Sequence, residues 1–136
     1  MENPSIMSHM SLGINDFTRA VKFYDRVLAT IGAKRVMDLS QYQAMAYGKS
    51  FPEFWVQAPF DGKKASAGNG THFAFFANSP EEVDAFYNEA MELGAVCDGK
   101  PGPRPNYGPG YYGCFVKDLD QNKIEATYFD ETKGHS

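Results

Sequence analysis

The chain has 136 residues and a mass of 15.1 kDa, the size of one domain, and a chain this long buries enough apolar surface to fold without disulfides or a structural metal. Thirteen Lys and Arg against seventeen Asp and Glu give a formal charge of −4 with no basic cluster, which argues against nucleic-acid binding through phosphate neutralisation. No apolar run approaches the roughly 20 residues that span a bilayer, and Met1-Glu2-Asn3-Pro4 puts no basic stretch ahead of an apolar one, so the chain reads as cytoplasmic with no membrane partner.

A first strand is expected at residues 6–12. Phe17, Ala20, Val21, Tyr24, Val27, Leu28 and Ile31 then recur at helical spacing behind Asn15 or Asp16 as N-cap, and Gly32 closes that helix. Strands follow at 34–39, 43–47 and 53–58. Residues 61–69, polar and glycine-containing, form a linker. A strand at 70–77 leads into Ser79-Pro80-Glu81-Glu82, a capping box with proline at the first helical position. Val83, Phe86, Tyr87, Ala90 and Leu93 make the apolar face of the helix, and Gly94 ends it. The last strands are expected at 95–98, 111–117 and 123–129. Residues 99–110 carry four prolines and four glycines, a composition expected to form neither a ladder strand nor a helix. A loop of this length is often functional, and its Arg104, Tyr107 and the neighbouring Tyr111 could close over a site; the plainer reading is a solvated rim.

The chain repeats this order. His72 and Phe86-Tyr87 follow His9 and Phe23-Tyr24 at one constant offset, and the glycines that end the two helices keep it to within one residue. Residues 1–136 therefore read as a single α+β domain of two βαβββ modules, 5–60 and 70–130, joined by 61–69. Such modules have exposed sheet edges that invite pairing with another copy, so a homodimer is expected, by docking or by exchange of modules. Cys97 and Cys114 show no CxxC spacing and read as thiols in a reducing compartment.

Of the three histidines, His135 lies in the tail, while His9 and His72 occupy equivalent places in the two modules. Side chains alternate along a strand. Met10 and Leu12, and likewise Phe73 and Phe75, supply the face that helices need, so His9 and His72 point away from the helices. In the last strand Ile124, Ala126 and Tyr128 face the helices, which turns Glu125 the same way as the histidines. An inward carboxylate is costly unless paired or ligated. Two imidazoles and one carboxylate from three strands match a facial ligand set that leaves open positions on a metal, although His and Glu could simply hydrogen-bond each other as a polar core.

Taken together, Ser8-His9-Met10-Ser11-Leu12-Gly13-Ile14-Asn15-Asp16, Phe23-Tyr24, Gly68-Asn69-Gly70-Thr71-His72-Phe73-Ala74-Phe75 and Asp118-Leu119-Asp120-Gln121-Asn122-Lys123-Ile124-Glu125-Ala126 resemble the vicinal oxygen chelate superfamily. That superfamily includes glyoxalase I, bleomycin-resistance proteins, fosfomycin-resistance enzymes and extradiol dioxygenases. The resemblance spans about residues 5–130. It implies paired βαβββ modules curled into a cupped mixed sheet with a metal at its centre, and it places His9, His72 and Glu125 at ligand positions. Trp55 falls where glyoxalase I usually has a further ligand, so a three-ligand set is implied.

The function expected on this basis is a divalent-metal-dependent enzyme, a lyase, dioxygenase or transferase, acting on a small substrate with vicinal oxygens. His9, His72 and Glu125 would hold Fe, Mn, Ni or Zn, with Glu125 also taking part in catalysis. Trp55, Phe76 and Tyr112 would form apolar walls, Arg104 would meet an anionic group, and Tyr107 or Tyr111 would donate a proton. The alternative is a non-catalytic protein that sequesters a drug, as bleomycin-resistance proteins do; the acidic charge and the aromatics suit a planar cation.

Overall fold

Residues 2–134 are described by a computed structural model; His135 lies outside them. Helix α1 (Phe17–Ala29) starts where Asp16, in an extended conformation, accepts from the Arg19 N–H at 3.1 Å. Helix α2 (Pro80–Glu92) starts on a reciprocal cap: Ser79 Oγ accepts from Glu82 N–H at 3.1 Å, and Glu82 Oε1 accepts from Asn78 N–H at 2.9 Å. Among the described residues no helix is long and apolar enough to cross a membrane.

Strands β1 (Met10–Gly13), β2 (Lys34–Leu39), β3 (Ala44–Gly48) and β4 (Phe54–Gln57) form one sheet in the order β1-β4-β3-β2. Strands β5 (His72–Phe76), β6 (Val96–Pro103), β7 (Tyr111–Lys117) and β8 (Lys123–Phe129) form the other in the order β5-β8-β7-β6. Each sheet pairs its first and last strands in parallel, β1 with β4 and β5 with β8, and is otherwise antiparallel. The architecture is thus α+β, two βαβββ units of the same topology. Register carries the repeat down to single residues: Ser11 stands opposite Trp55 in the first sheet and Ala74 opposite Glu125 in the second.

Both helices and one face of each sheet share a core that includes Phe23, Tyr24, Leu28, Met45, Val56, Phe86, Val116 and Ile124. Phe54 meets Phe73 and Phe75 edge-on at 6.1 and 5.0 Å, a favoured aromatic geometry. Polar contacts fasten the units along the same seam. Tyr24 donates to Asp118 Oδ2 at 2.5 Å, Asn122 Nδ2 to the Gly13 carbonyl at 3.1 Å and Asn15 Nδ2 to Asp120 at 3.0 Å. Because the units meet through their helix-bearing sides, the opposite face of each sheet is left for other partners.

Two expectations about strands are corrected. The ladder of β6 continues through Pro101 to Pro103, with Gly102 opposite Gly113 and Pro103 opposite Tyr112. Prolines are tolerated because β6 is an edge strand, bonded on one side only, and its register shifts on both sides of Gly99. Pro105–Tyr107 then form one 3-10 turn. At the other end β1 begins at Met10, so His9 precedes the strand.

Candidate functional site

In the second sheet β5 and β8 run side by side with His72 opposite Lys123 and Ala74 opposite Glu125, which leaves His72 and Glu125 on the same face, one alternation apart. Glu125 is only 7% exposed. Its Oε1 lies 3.2 Å from His72 Nε2, and its Oε2 accepts from the Tyr111 hydroxyl at 2.6 Å. Tyr111 is four register pairs from Glu125 along β7 and reaches the carboxylate by lying across Gly113, where a Cβ would stand 2.2 Å from its hydroxyl oxygen. Burial, and then the bond to Glu125, push the Tyr111 phenol well above its ordinary value, so it keeps its proton at physiological pH.

These three residues line a pocket of about 560 Å³ with Arg104, Tyr107, Phe115, Lys123, Asp98 and Phe129. Phe115 forms its floor: His72 meets the ring edge-on with centroids 6.2 Å apart, while the Arg104 guanidinium and the Lys123 ammonium lie 5.7 and 4.9 Å from its centroid. Tyr107 stacks edge-on against Tyr111 at 5.2 Å and is 53% exposed at the pocket. An imidazole nitrogen beside a carboxylate oxygen is a donor set that suits Fe, Mn, Ni or Zn. Within one chain, however, no group of three His, Cys, Asp or Glu side chains is set to hold a metal among the described residues.

The remaining candidates lie elsewhere. His9 bonds Ser8 Oγ through Nδ1 at 2.9 Å and opens on a separate, apolar cavity lined by Met7, Phe51, Phe54, Phe75 and Phe76. The expected convergence of His9 with His72 and Glu125 is therefore not found inside one chain, because β1 and β5 belong to different sheets and His9 opens on a different cavity from His72 and Glu125. Trp55 is half-buried on the strand of the first sheet that corresponds to β8, and Phe76 is 78% exposed beside the His9 cavity. Tyr112 corrects the expectation of an apolar wall: it follows Tyr111 in the alternation, packs on the core and donates to Asp84 Oδ1 of α2 at 2.7 Å. Phe115, Lys123 and Gly113 were not anticipated. Counting by twos from Tyr111 and Glu125 along their strands would have found all three.

A family model described as Glyoxalase/Bleomycin resistance protein/Dioxygenase superfamily matches residues 6–126. Among solved structures the chain is similar to a glyoxalase/bleomycin resistance protein from Albidiferax ferrireducens T118, with a TM-score of 0.79 and 35% identity over 91% of this chain and 98% of that one. It shares its fold with the fosfomycin resistance protein FosX from Listeria monocytogenes, TM-score 0.65 and 18% identity over 95% and 97% of the two chains. The same holds for a lactoylglutathione lyase from Agrobacterium tumefaciens, TM-score 0.62 and 22% identity over 94% and 96%. No curated protein matches the chain. With a family match across nearly its whole length and a solved relative at this identity, the chain belongs to the glyoxalase/bleomycin resistance protein/dioxygenase superfamily.

Proposed function

We propose that the chain is a divalent-metal-dependent enzyme that acts, as a lyase, dioxygenase or transferase, on a small substrate presenting vicinal oxygens. The observation that carries this reading is the pairing of His72 Nε2 with the buried Glu125 Oε1 at 3.2 Å in an open pocket. Two donor atoms at this separation, one on a carboxylate removed from water, are spaced as two ligands of one cation would be, and the same distance also serves a hydrogen bond between them. The third ligand is His9 of a second copy of the chain, within a cytoplasmic homodimer. Trp55 stands in the first sheet where Glu125 stands in the second, so each first unit brings a histidine without a carboxylate at the position equivalent to Glu125, and each second unit brings the complementary pair.

A bound metal would supply Lewis-acid stabilisation of negative charge on the substrate oxygens. The protein's own part is positional. Tyr111 holds Oε2 and leaves Oε1 to the cation, Phe115 is the apolar floor, and Tyr107 is the hydroxyl placed at the mouth to move a proton. Metal analysis of protein purified without chelators, followed by reconstitution with Zn, Mn, Ni and Fe, tests this. The wild type takes up one equivalent per chain and His72→Ala takes up none; a wild type that gains no metal sinks the reading. Saturable, EDTA-insensitive binding of a planar cation without turnover would instead favour sequestration, which the aromatic walls also suit.

A further inference from the structure

Arg104 lines the pocket but has no part in the metal reading. Its guanidinium is held in place by three carbonyls: Nη2 donates to Lys100 O at 2.8 Å, and Nη1 to Gly102 O at 3.0 Å and Gly113 O at 3.4 Å. Two further N–H groups of its five, on Nε and Nη2, have no partner among the described residues. Nor does any carboxylate there lie within ion-pair distance of it. Lys123, on the same Phe115 ring, is neutralised by Asp98 at 3.2 Å. Two cations thus share one aromatic floor and only one has a counter-ion, in a protein whose net charge is −4. The backbone makes room for this arrangement: a Cβ on Gly99 would stand 3.0 Å from both Arg104 Nη2 and Phe115 Cδ2.

A staple for the β6–β7 connection would need only the carbonyl bonds. A half-buried, fixed and uncompensated guanidinium facing a cavity is an anion receptor already paid for in side-chain entropy. We propose that Arg104 binds an oxyanion group of the substrate, a carboxylate or a phosphonate, beside the Phe115 ring, so that the substrate is an acid whose vicinal oxygens lie toward His72 and Glu125. This rests on the reading of the same pocket as the substrate site, but not on a metal being present.

The test therefore uses metal-stripped, full-length protein and three probes, benzoate, phenylphosphonate and the neutral benzamide, titrated by NMR with the Gly99 backbone N–H signal, in the same pocket, as reporter. Benzoate or phenylphosphonate is expected to shift that signal saturably and to bind at least tenfold tighter than benzamide. Their relative affinities identify which oxyanion the site prefers. Arg104→Gln is expected to lose the discrimination, binding the two anions no more tightly than it binds benzamide. Benzamide binding as tightly as both anions in the wild type, a comparison that needs no variant, would overturn the proposal. So would anion affinity within twofold of wild type in Arg104→Gln. Failure here leaves metal uptake intact, whereas failure of the metal reading leaves anion binding intact, so the two are separable.

Discussion

The Tyr111 hydroxyl donates to Glu125 Oε2 at 2.6 Å across a residue, Gly113, that has no room for a side chain. Partners of this kind fix the orientation of a metal-binding carboxylate, and their loss typically costs ten- to a hundredfold in affinity. Tyr111→Phe is accordingly expected to weaken metal binding at least about tenfold and to cost about 2 kcal/mol of stability. Gly113→Ala should weaken metal binding similarly while keeping the hydroxyl, because it displaces the ring. Competition against a chromophoric chelator reads both. Affinities within twofold of wild type would remove Tyr111 from this positioning role.

The alternation of polar and apolar residues made much of this site legible. It turns Glu125 away from Ile124 and Ala126, both of which are fully buried on the helix side, and it puts His72 on the same face. It was misapplied at Tyr112, which shares a strand with Tyr111 and must face the other way. The extent of β6 was not legible, because proline is excluded from a central strand and tolerated at an edge, and strand order is a long-range property. The separation of His9 from Glu125 has a similar origin. Two amphipathic units can join through their helix sides or their open faces, and the sequence pattern within each unit is the same in both cases.

The seam between the units carries a buried carboxylate. Burial raises the Asp118 carboxyl above its ordinary 3.8, while hydrogen bonds from Tyr24, from the backbone of Asn122 and Asp120 and from the Asn122 side chain pull it down. With the folded value above the unfolded one, the folded state binds the proton more tightly, so this group's contribution to stability rises as pH falls through the raised value toward 3.8. Tyr24→Phe removes a donor to the charged form and raises the folded value further. The variant should lose about 2 kcal/mol at pH 7, and the loss should shrink at pH 3.8, below the raised value, as Asp118 protonates. Urea denaturation at both pH values checks it; an equal loss at both would mean that Asp118 does not carry the effect.

The two thiols should differ in reactivity. Cys114 is fully buried behind α2, and burial pushes its thiol up to about 12, whereas Cys97 is only half-buried. The thiolate is the reactive form, so a disulfide reagent at pH 8 is expected to titrate one thiol per folded chain promptly and the second only on unfolding in guanidinium. Cys114→Ser should abolish the delayed phase alone. Two prompt equivalents in the folded protein would contradict the packing of β7 against α2.

Whether His9 acts across a dimer can be decided by mixing variants. His9→Ala and Glu125→Gln each lack one ligand, and each homodimer is expected to bind metal poorly. When the two are unfolded together and refolded, a mixed dimer places His72 and Glu125 of the His9→Ala chain beside His9 of the Glu125→Gln chain, which restores one pocket and leaves the other doubly impaired. With random pairing, about one pocket in four should regain wild-type affinity, since half the two-fold dimers are mixed and each has one intact site. If all three ligands came from one chain, every chain in the mixture would lack one of them and no tight site would return. Separate refolding of each variant supplies the baseline, and only a gain on co-refolding supports the shared site.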